Sequence, residues 1–286
     1  MKKKLLLPTD FSKNANNAIK YAIELYKRES CEFFILHSYY LPGYNKSDML
    51  SLEPTVERLN EVKGSAEKNM KRLKVQVSLN DHNSHHVFHF LNEFGSFNDV
   101  LKKIVKKEDI KLILMGTRGE TDDRNTILGS NAANVMEKVR ACPVLAIPGD
   151  VIFKNPNEIV FSTTFRKVYK EIELATLLEI SILTKAPIRI LYIQKGQGLS
   201  KKQEENKVLL NKVLGSTSYT HHVLSNLNMQ EGVRCFSQSR ESDMIAFVNK
   251  KHNFFGSIFS NPMVKHIGDH TSVPILALHD VKEFES

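Results

Sequence analysis

Residues 4–12 read KLLLPTDFS, and residues 158–165 read EIVFSTTF. Each is a short apolar run ended by a turn signal, the pattern of a strand buried on both faces. The same shape met twice makes an internal repeat the first thing to test, because duplication sets a domain boundary without any shift in composition. The flanking sequence keeps step. After the first run Ser12 reads as a helix cap, and Ala15, Ala18, Ile19, Ala22, Ile23 and Tyr26 recur at the three-and-four spacing of one helical face. After the second run Val168, Ile172, Ala175, Leu178 and Ile182 are expected to take that part.

Second strands follow as FFILHSYY (33–40) and IRILYI (188–193), both rich in β-branched or aromatic residues. Polar Lys/Glu-rich helices come next, near 54–73 and 200–214. Third strands are marked by His85-His86-Val87-Phe88, echoed by His221-His222-Val223-Leu224. Fourth strands, KLILMG (111–116) and DMIAFV (243–248), precede a loop, a helix and the fifth strands PVLAI (143–147) and PILAL (274–278). Strands alternating with helices imply parallel pairing through right-handed crossovers, and near-continuous apolar strands imply a sheet covered on both faces. The fold class expected is α/β, with two tandem, doubly wound, five-stranded parallel-sheet domains, residues 1–149 and 150–286. The link between them, GDVIFKNP (149–156), carries break signals and is short, so the halves should pack together.

Composition agrees with this picture. The 286 residues are 41% hydrophobic and 25% charged, close to globular averages. The opening MKKKLLLPTD has too short an apolar run for a signal peptide, since Pro8, Thr9 and Asp10 interrupt it. No stretch approaches the roughly 18 to 20 apolar residues of a membrane span, and Cys31, Cys142 and Cys235 lack CxxC spacing and are expected as small buried thiols. A cytoplasmic protein with no membrane partner is the expectation. The formal charge of +8 invites a nucleic-acid partner, but lysines such as Lys102, Lys103, Lys106 and Lys107 fall on presumptive polar helix faces. No arginine-aromatic interleaving accompanies them, which speaks against direct nucleic-acid binding.

In an open parallel sheet a ligand sits beyond the carboxyl ends of the strands, where strand order reverses. That singles out Pro8, Thr9, Asp10 and Ser12 after the first strand, and MGTRGETDDRNTILGSNA (115–132) after the fourth. Gly116 and Gly119 are expected to allow close backbone approach and positive φ beside a phosphate, and Gly129-Ser130 opens a helix whose free N–H groups attract anions. The residues alone leave two readings open, an anion site or glycines that only shape turns.

These segments together resemble the ATP-binding type of the universal stress protein family, whose motif is glycine, two residues, glycine, nine residues, glycine, then serine or threonine. Gly116, Gly119, Gly129 and Ser130 match it, and the order of strands extends the resemblance over essentially the whole chain. The resemblance implies that Asp10 approaches the ribose or a bound metal, and that Pro8 and Thr9 line the nucleotide pocket. It implies that His37 and Ser38 contribute adenine-contacting backbone, and that Gly116, Arg118, Gly119, Gly129, Ser130 and Asn131 surround the phosphates of ATP, with Mg²⁺. It further implies a pseudo-dimer of the two domains through their fifth strands within one chain, with homodimerisation left open.

Glu120, Asp122 and Asp123 depart from the pattern by placing carboxylates where triphosphate oxygens are expected. They point to solvent, or are offset by Mg²⁺, or weaken affinity, and the sequence does not choose. In the second half Val248 and Lys251 replace the first two glycines, Ser260 and Asn261 replace Gly129-Ser130, and Thr164 replaces Asp10. No ATP is expected there, and Phe254, Phe255 and Phe259 are available to fill the vacated pocket or to meet a partner. His82, His85, His86 and His89 beside Asp81 lack a zinc spacing and would alternate across a strand. GxxxxGK[ST] and GxSxG are absent, so nothing supports catalysis beyond slow ATP turnover. The function expected is a nucleotide-dependent stress-response or signalling module without a catalytic residue or protein metal site. The alternatives are a scaffold of the same fold that binds no nucleotide, and a slow ATPase.

Overall fold

The structure is a computed structural model that describes residues 2–40, 56–81, 83–119, 128–194, 196, 198–249 and 273–280. The first half contains β1 (Lys3–Pro8), α1 (Lys13–Leu25), β2 (Cys31–Tyr39), α2 (Val56–Asn80), β3 (Val87–Phe94), α3 (Phe97–Lys107), β4 (Leu112–Gly116), α4 (Ser130–Lys138) and β5 (Val144–Ile147). The second contains β6 (Ile159–Thr163), α5 (Glu171–Thr184), β7 (Ile188–Gln194), α6 (Lys201–Leu214), β8 (Tyr219–Ser225), α7 (Met229–Ser239), β9 (Met244–Asn249) and β10 (Ile275–His279). The apolar runs become central strands because they can be covered on both sides: Leu5, Leu6 and Leu7 of β1 are all 0% exposed. Ser12 caps α1 as expected, and a hydroxyl also starts α6. Ser12 Oγ accepts the Ala15 N–H at 3.2 Å, and Ser200 and Gln203 satisfy one another's N–H groups at the start of α6.

The strands form one ten-stranded sheet in the order β3-β2-β1-β4-β5-β10-β9-β6-β7-β8. Neighbours within each half are parallel, and the halves meet through the antiparallel pair β5 and β10. Leu145 faces Leu276, Val144 faces Ala277 and Ala146 faces Ile275. This reciprocal register is that of a two-fold interface, so the fifth strands join the halves as expected. On one face a single apolar core runs across the seam, from Leu5, Ile19 and Phe33 through Leu145 and Leu276 to Phe161 and Leu177. The other face carries two cores, one under α3 and α4 and a smaller one under α7.

Polar contacts fasten the halves together. Arg140, after α4, donates to the Asn249 carbonyl at 2.8 Å and pairs with Asp280. Asn249, 0% exposed, returns its amide to the Met136 carbonyl at 2.8 Å. Lys3 of β1 pairs with Glu179 of α5. His279, at the end of β10, is buried beside this network, and neither ring nitrogen has a partner among the described residues. Burial, helped by the Arg140 charge, pushes its pKa down to about 4. At the entry to β6, buried Glu158 accepts from Arg189 Nε at 2.8 Å, Arg240 Nε at 2.9 Å, Arg240 Nη2 at 2.7 Å and Ser242 Oγ at 2.7 Å. Burial alone would raise the pKa of this carboxyl, but the donors outweigh it and hold it at about 2.

Several expectations are corrected. The buried face of α5 is Glu173, Leu174, Thr176, Leu177, Ile180, Ser181 and Thr184, not the face through Val168, Ile172, Ala175, Leu178 and Ile182. The reason is a longer entry. Phe11 and Phe165 are matched, each with positive φ and each donating its N–H to the threonine two residues before it. Yet α1 begins two residues after Phe11 and α5 begins six after Phe165, which turns the apolar face of the second helix elsewhere. The histidine echo is also out of register. Phe33 of β2 faces Phe88, whereas Ile188 of β7 faces Tyr219, so His221 and His222 lie within β8 while His85 and His86 precede β3. His86 is a buried structural residue that bonds Asp81 Oδ1 at 2.6 Å and the Tyr26 carbonyl at 3.1 Å. Cys31 and Cys142 are buried, with pKa values pushed up to about 12 by burial, but Cys235 is exposed. Among the described residues no helix is long and apolar enough to cross a membrane.

Candidate functional site

The carboxyl edge of the first half is built by tight local bonds. Thr9 extends the sheet by donating its N–H to Leu36 O at 2.8 Å. Its hydroxyl then accepts the Phe11 N–H at 2.9 Å, and Asp10 Oδ1 accepts the Ser12 N–H at 3.0 Å. These side-chain turns reverse the chain from β1 into α1. The Thr9 carbonyl can only accept, so the 2.9 Å contact identifies His37 Nδ1 as the protonated nitrogen. The His37 ring also packs on Phe11 at 4.4 Å between centroids.

After β4, Thr117 donates its N–H to Ile147 O at 2.9 Å, and its own carbonyl accepts the Gly129 N–H at 2.7 Å. The chain that departs near Gly119 therefore returns at Gly129 beside its starting point. Gly129 caps α4 in extended conformation, φ −67°, and as a glycine brings no side-chain acceptor of its own. A helix start of this kind presents donors and a positive dipole end to the space before it.

A cleft of about 260 Å³ opens along this edge, just below the roughly 300–1,000 Å³ usual for small-molecule sites. Pro8, Thr9, Asp10, His37, Ser38, Gly116, Arg118, Gly119 and Asn131 all line it, and Gly129 and Ser130 stand directly before Asn131 at the start of α4. Two segments more than a hundred residues apart in the chain are thus brought together. Ala15, Tyr40 and Phe97 also line the cleft and were missed by sequence reading, while Met115 and Ala132, which line it too, are the two ends of the segment 115–132. Phe97 follows the Ser96 cap of α3, and the rule that strand ends face the ligand could have included that third turn. The cleft is mixed in character: Asp10, Arg118, Asn131 and the α4 start supply polarity, while Phe97, Met115, Ala132 and Pro8 supply apolar wall. Glu120, Asp122 and Asp123 lie outside the described residues.

One expectation about Gly116 is corrected. Its φ is not positive. A Cβ there would meet the Asn14 main chain at 3.2 Å and the Arg118 carbonyl oxygen at 3.3 Å, so the glycine makes room for the first turn of α1. The second half shows the converse. Register aligns Val248 with Gly116, Val248 is buried in the core, and the helix entry opposite it is the longer one. That longer entry supplies Tyr169, which is buried, bonds Thr163 Oγ1 at 2.8 Å and packs edge-on against Phe161. Lys251, Phe254, Phe255, Phe259, Ser260 and Asn261 lie outside the described residues, as does His82.

Comparison with known proteins agrees with the architecture. The model of the universal stress protein family matches residues 1–148. Universal stress protein MJ0577 of Methanocaldococcus jannaschii is 29% identical over 157 residues, which is 51% of this chain and 95% of that protein. The crystal structure of a universal stress protein from Archaeoglobus fulgidus superposes with a TM-score of 0.69 at 16% identity, covering 96% of this chain and 97% of that one. A putative universal stress protein from Pseudomonas aeruginosa does so with a TM-score of 0.59 at 11% identity, covering 97% and 93%. With a family model spanning more than half of its length, and whole-chain likeness in fold, this chain belongs to the universal stress protein family.

Proposed function

We propose that the cleft of residues 1–149 binds an adenine nucleotide, as MgATP, and that residues 150–286 bind none. The observation that carries this reading is the convergence of the turn after β1 and the glycine-capped start of α4 on one cleft. An anion there meets main-chain donors and a helix dipole without a dedicated lysine, and Arg118 adds a charged donor. The apolar wall suits a planar base, and Asp10 suits ribose hydroxyls or the cation. Mg²⁺ would supply charge neutralisation for the phosphates. In the second half buried Val248 at the Gly116 position, and buried Tyr169 bonded to Thr163, support the absence of a nucleotide there. The output of such a protein is a change in conformation or interactions on nucleotide binding, within a pseudo-dimer made by one chain, and this is the sense in which it serves a stress-response or signalling role.

The reading is tested by titrating purified protein with MgATP in a calorimeter, and by assaying adenine nucleotide released on denaturation. One site per chain is expected. Gly129→Asp, which sets a carboxylate at the α4 start, should abolish binding while circular dichroism stays that of the parent. If that variant binds MgATP as the parent does, the site is wrongly assigned. If the parent neither carries nor binds nucleotide, the scaffold reading replaces this one.

A further inference from the structure

The two halves treat the outward faces of their first helices differently. Aligning the buried positions of α1 and α5 sets Ala15, Ala18, Ile19, Ala22 and Ile23 against Glu173, Thr176, Leu177, Ile180 and Ser181. Asn14, Asn17 and Tyr21 then correspond to Ile172, Ala175 and Glu179. In the first half this face is covered by the chain that leaves β5. Asn17 Nδ2 donates to the Pro148 carbonyl at 3.0 Å and the Val151 carbonyl at 2.8 Å. Tyr21 packs edge-on against Phe153 at 4.9 Å between centroids, and the Asn14 side chain fills the space beside Gly149.

In the second half the counterpart face carries exposed apolar residues on either side of Glu179, whose carboxylate is turned to Lys3. Ile172 is 69% exposed, Ile182 66% and nearby Val168 45%, and Ala175 is exposed between them. Exposed apolar residues gathered on one side of a helix mark an interaction surface. The chain that leaves β10 repeats the chain that leaves β5: Asp150-Val151 is followed after one residue by Phe153, and Asp280-Val281 is followed after two by Phe284. Because β5 and β10 are related by the reciprocal register of the seam, both chains leave the sheet at equivalent points of their halves. The Arg140–Asp280 ion pair fixes the exit from β10.

We propose that the face of α5 formed by Ile172, Ala175 and Ile182 is the docking surface for the segment Val281–Phe284, which lies outside the described residues. Val281 and Phe284 are its apolar contacts, as Val151 and Phe153 are on α1. The two straps differ in chemistry. Where α1 grips carbonyl oxygens through the Asn17 amide, α5 offers a methyl group at Ala175, so the second strap is held by apolar burial.

The chain contains no tryptophan, so Phe284→Trp gives a single reporter. Its emission should be blue-shifted from that of the denatured protein and protected from acrylamide. Adding Ile172→Asp should return emission and quenching to solvent-exposed values with far-ultraviolet dichroism unchanged. Adding Val223→Asp, at an exposed apolar residue of β8, should leave the blue shift intact. Three results overturn the proposal: an exposed reporter in the first protein, a blue shift that survives Ile172→Asp, or a blue shift that grows with protein concentration, which would assign the face to a second copy of the chain.

Discussion

Replacing Gly116 by valine separates a glycine that serves the fold from one that serves a ligand. A Cβ at this position lies 3.2 Å from the carbonyl carbon of Asn14, and 3.3 Å from the carbonyl oxygens of Asn14 and Arg118. These are main-chain atoms that cannot rotate aside, and valine adds two methyl groups beyond the Cβ. Overpacking of this kind costs about 1–3 kcal/mol. With roughly 2–4 °C of melting temperature per kcal/mol in chains of about this size, the midpoint should fall by about 2–12 °C. The first turn of α1 is the element that must give way, and it carries the Asp10 and Ser12 turn that frames the cleft. Affinity for MgATP should therefore drop about tenfold or more, equivalent to about 1.4 kcal/mol. Gly116→Ala, which adds the Cβ alone, should lose less on both counts. Thermal unfolding followed by circular dichroism and calorimetric titration with MgATP read the two effects separately. A valine variant that melts with the parent and binds MgATP equally would refute the idea that this contact seats α1.

Other outcomes follow from the buried charges. Glu158→Gln removes the carboxylate shared by Arg189, Arg240 and Ser242 and should cost about 3 kcal/mol in denaturant unfolding, since breaking a buried pair strands its partners. The Glu158 carboxyl is held at about 2 when folded against an ordinary value near 4.3. Its contribution is therefore complete above about pH 4.3 and lost as pH falls towards 2, and the glutamine variant should lack that part of the acid limb. His279 has the same sign in a higher window. Folded, it takes a proton only near 4, while the unfolded residue does so near 6.5. Stability should fall as pH drops from about 6.5 to 4, by up to about 1.4 kcal/mol per pH unit. His279→Gln should flatten that slope, and an unchanged slope would show that the ring is not held neutral at the seam.

Much of the architecture was legible because its cause is local. Apolar runs such as Leu5-Leu6-Leu7 and Leu112–Met115 can only be strands covered on both faces, and Ser12 with its periodic alanines and isoleucines can only start one amphipathic helix. The seam was legible only through family resemblance, since nothing within PVLAI or PILAL says which edge it pairs with. The face of α5 was misread because Glu171–Thr184 is apolar nearly all round, and periodicity cannot orient such a helix. The deciding fact, a longer entry after Phe165, appears only when Phe11 and Phe165 are matched in space. The cleft is lined by residues that glycine and turn chemistry single out in the sequence, such as Asp10, Gly116 and Gly119. Ala15 lines it too but was not legible, because an alanine beside a crevice reads like any core residue. The positive φ expected of Gly116 is not what its position needs; the nearness of Asn14 is, a contact that spacing along the chain does not reveal.

The antiparallel seam between β5 and β10 has a consequence beyond cohesion. In a homodimer of identical subunits joined this way, every substitution is imposed on both crevices at once, and a valine in place of the strand-end glycine would alter the pair together. Within one polypeptide that coupling is absent: Val248 and Tyr169 stand in one half while Gly116 and Ala15 stand in the other. Covalent linkage thus frees each half of a near-symmetric pair to vary by itself, at a fixed ratio of one to one.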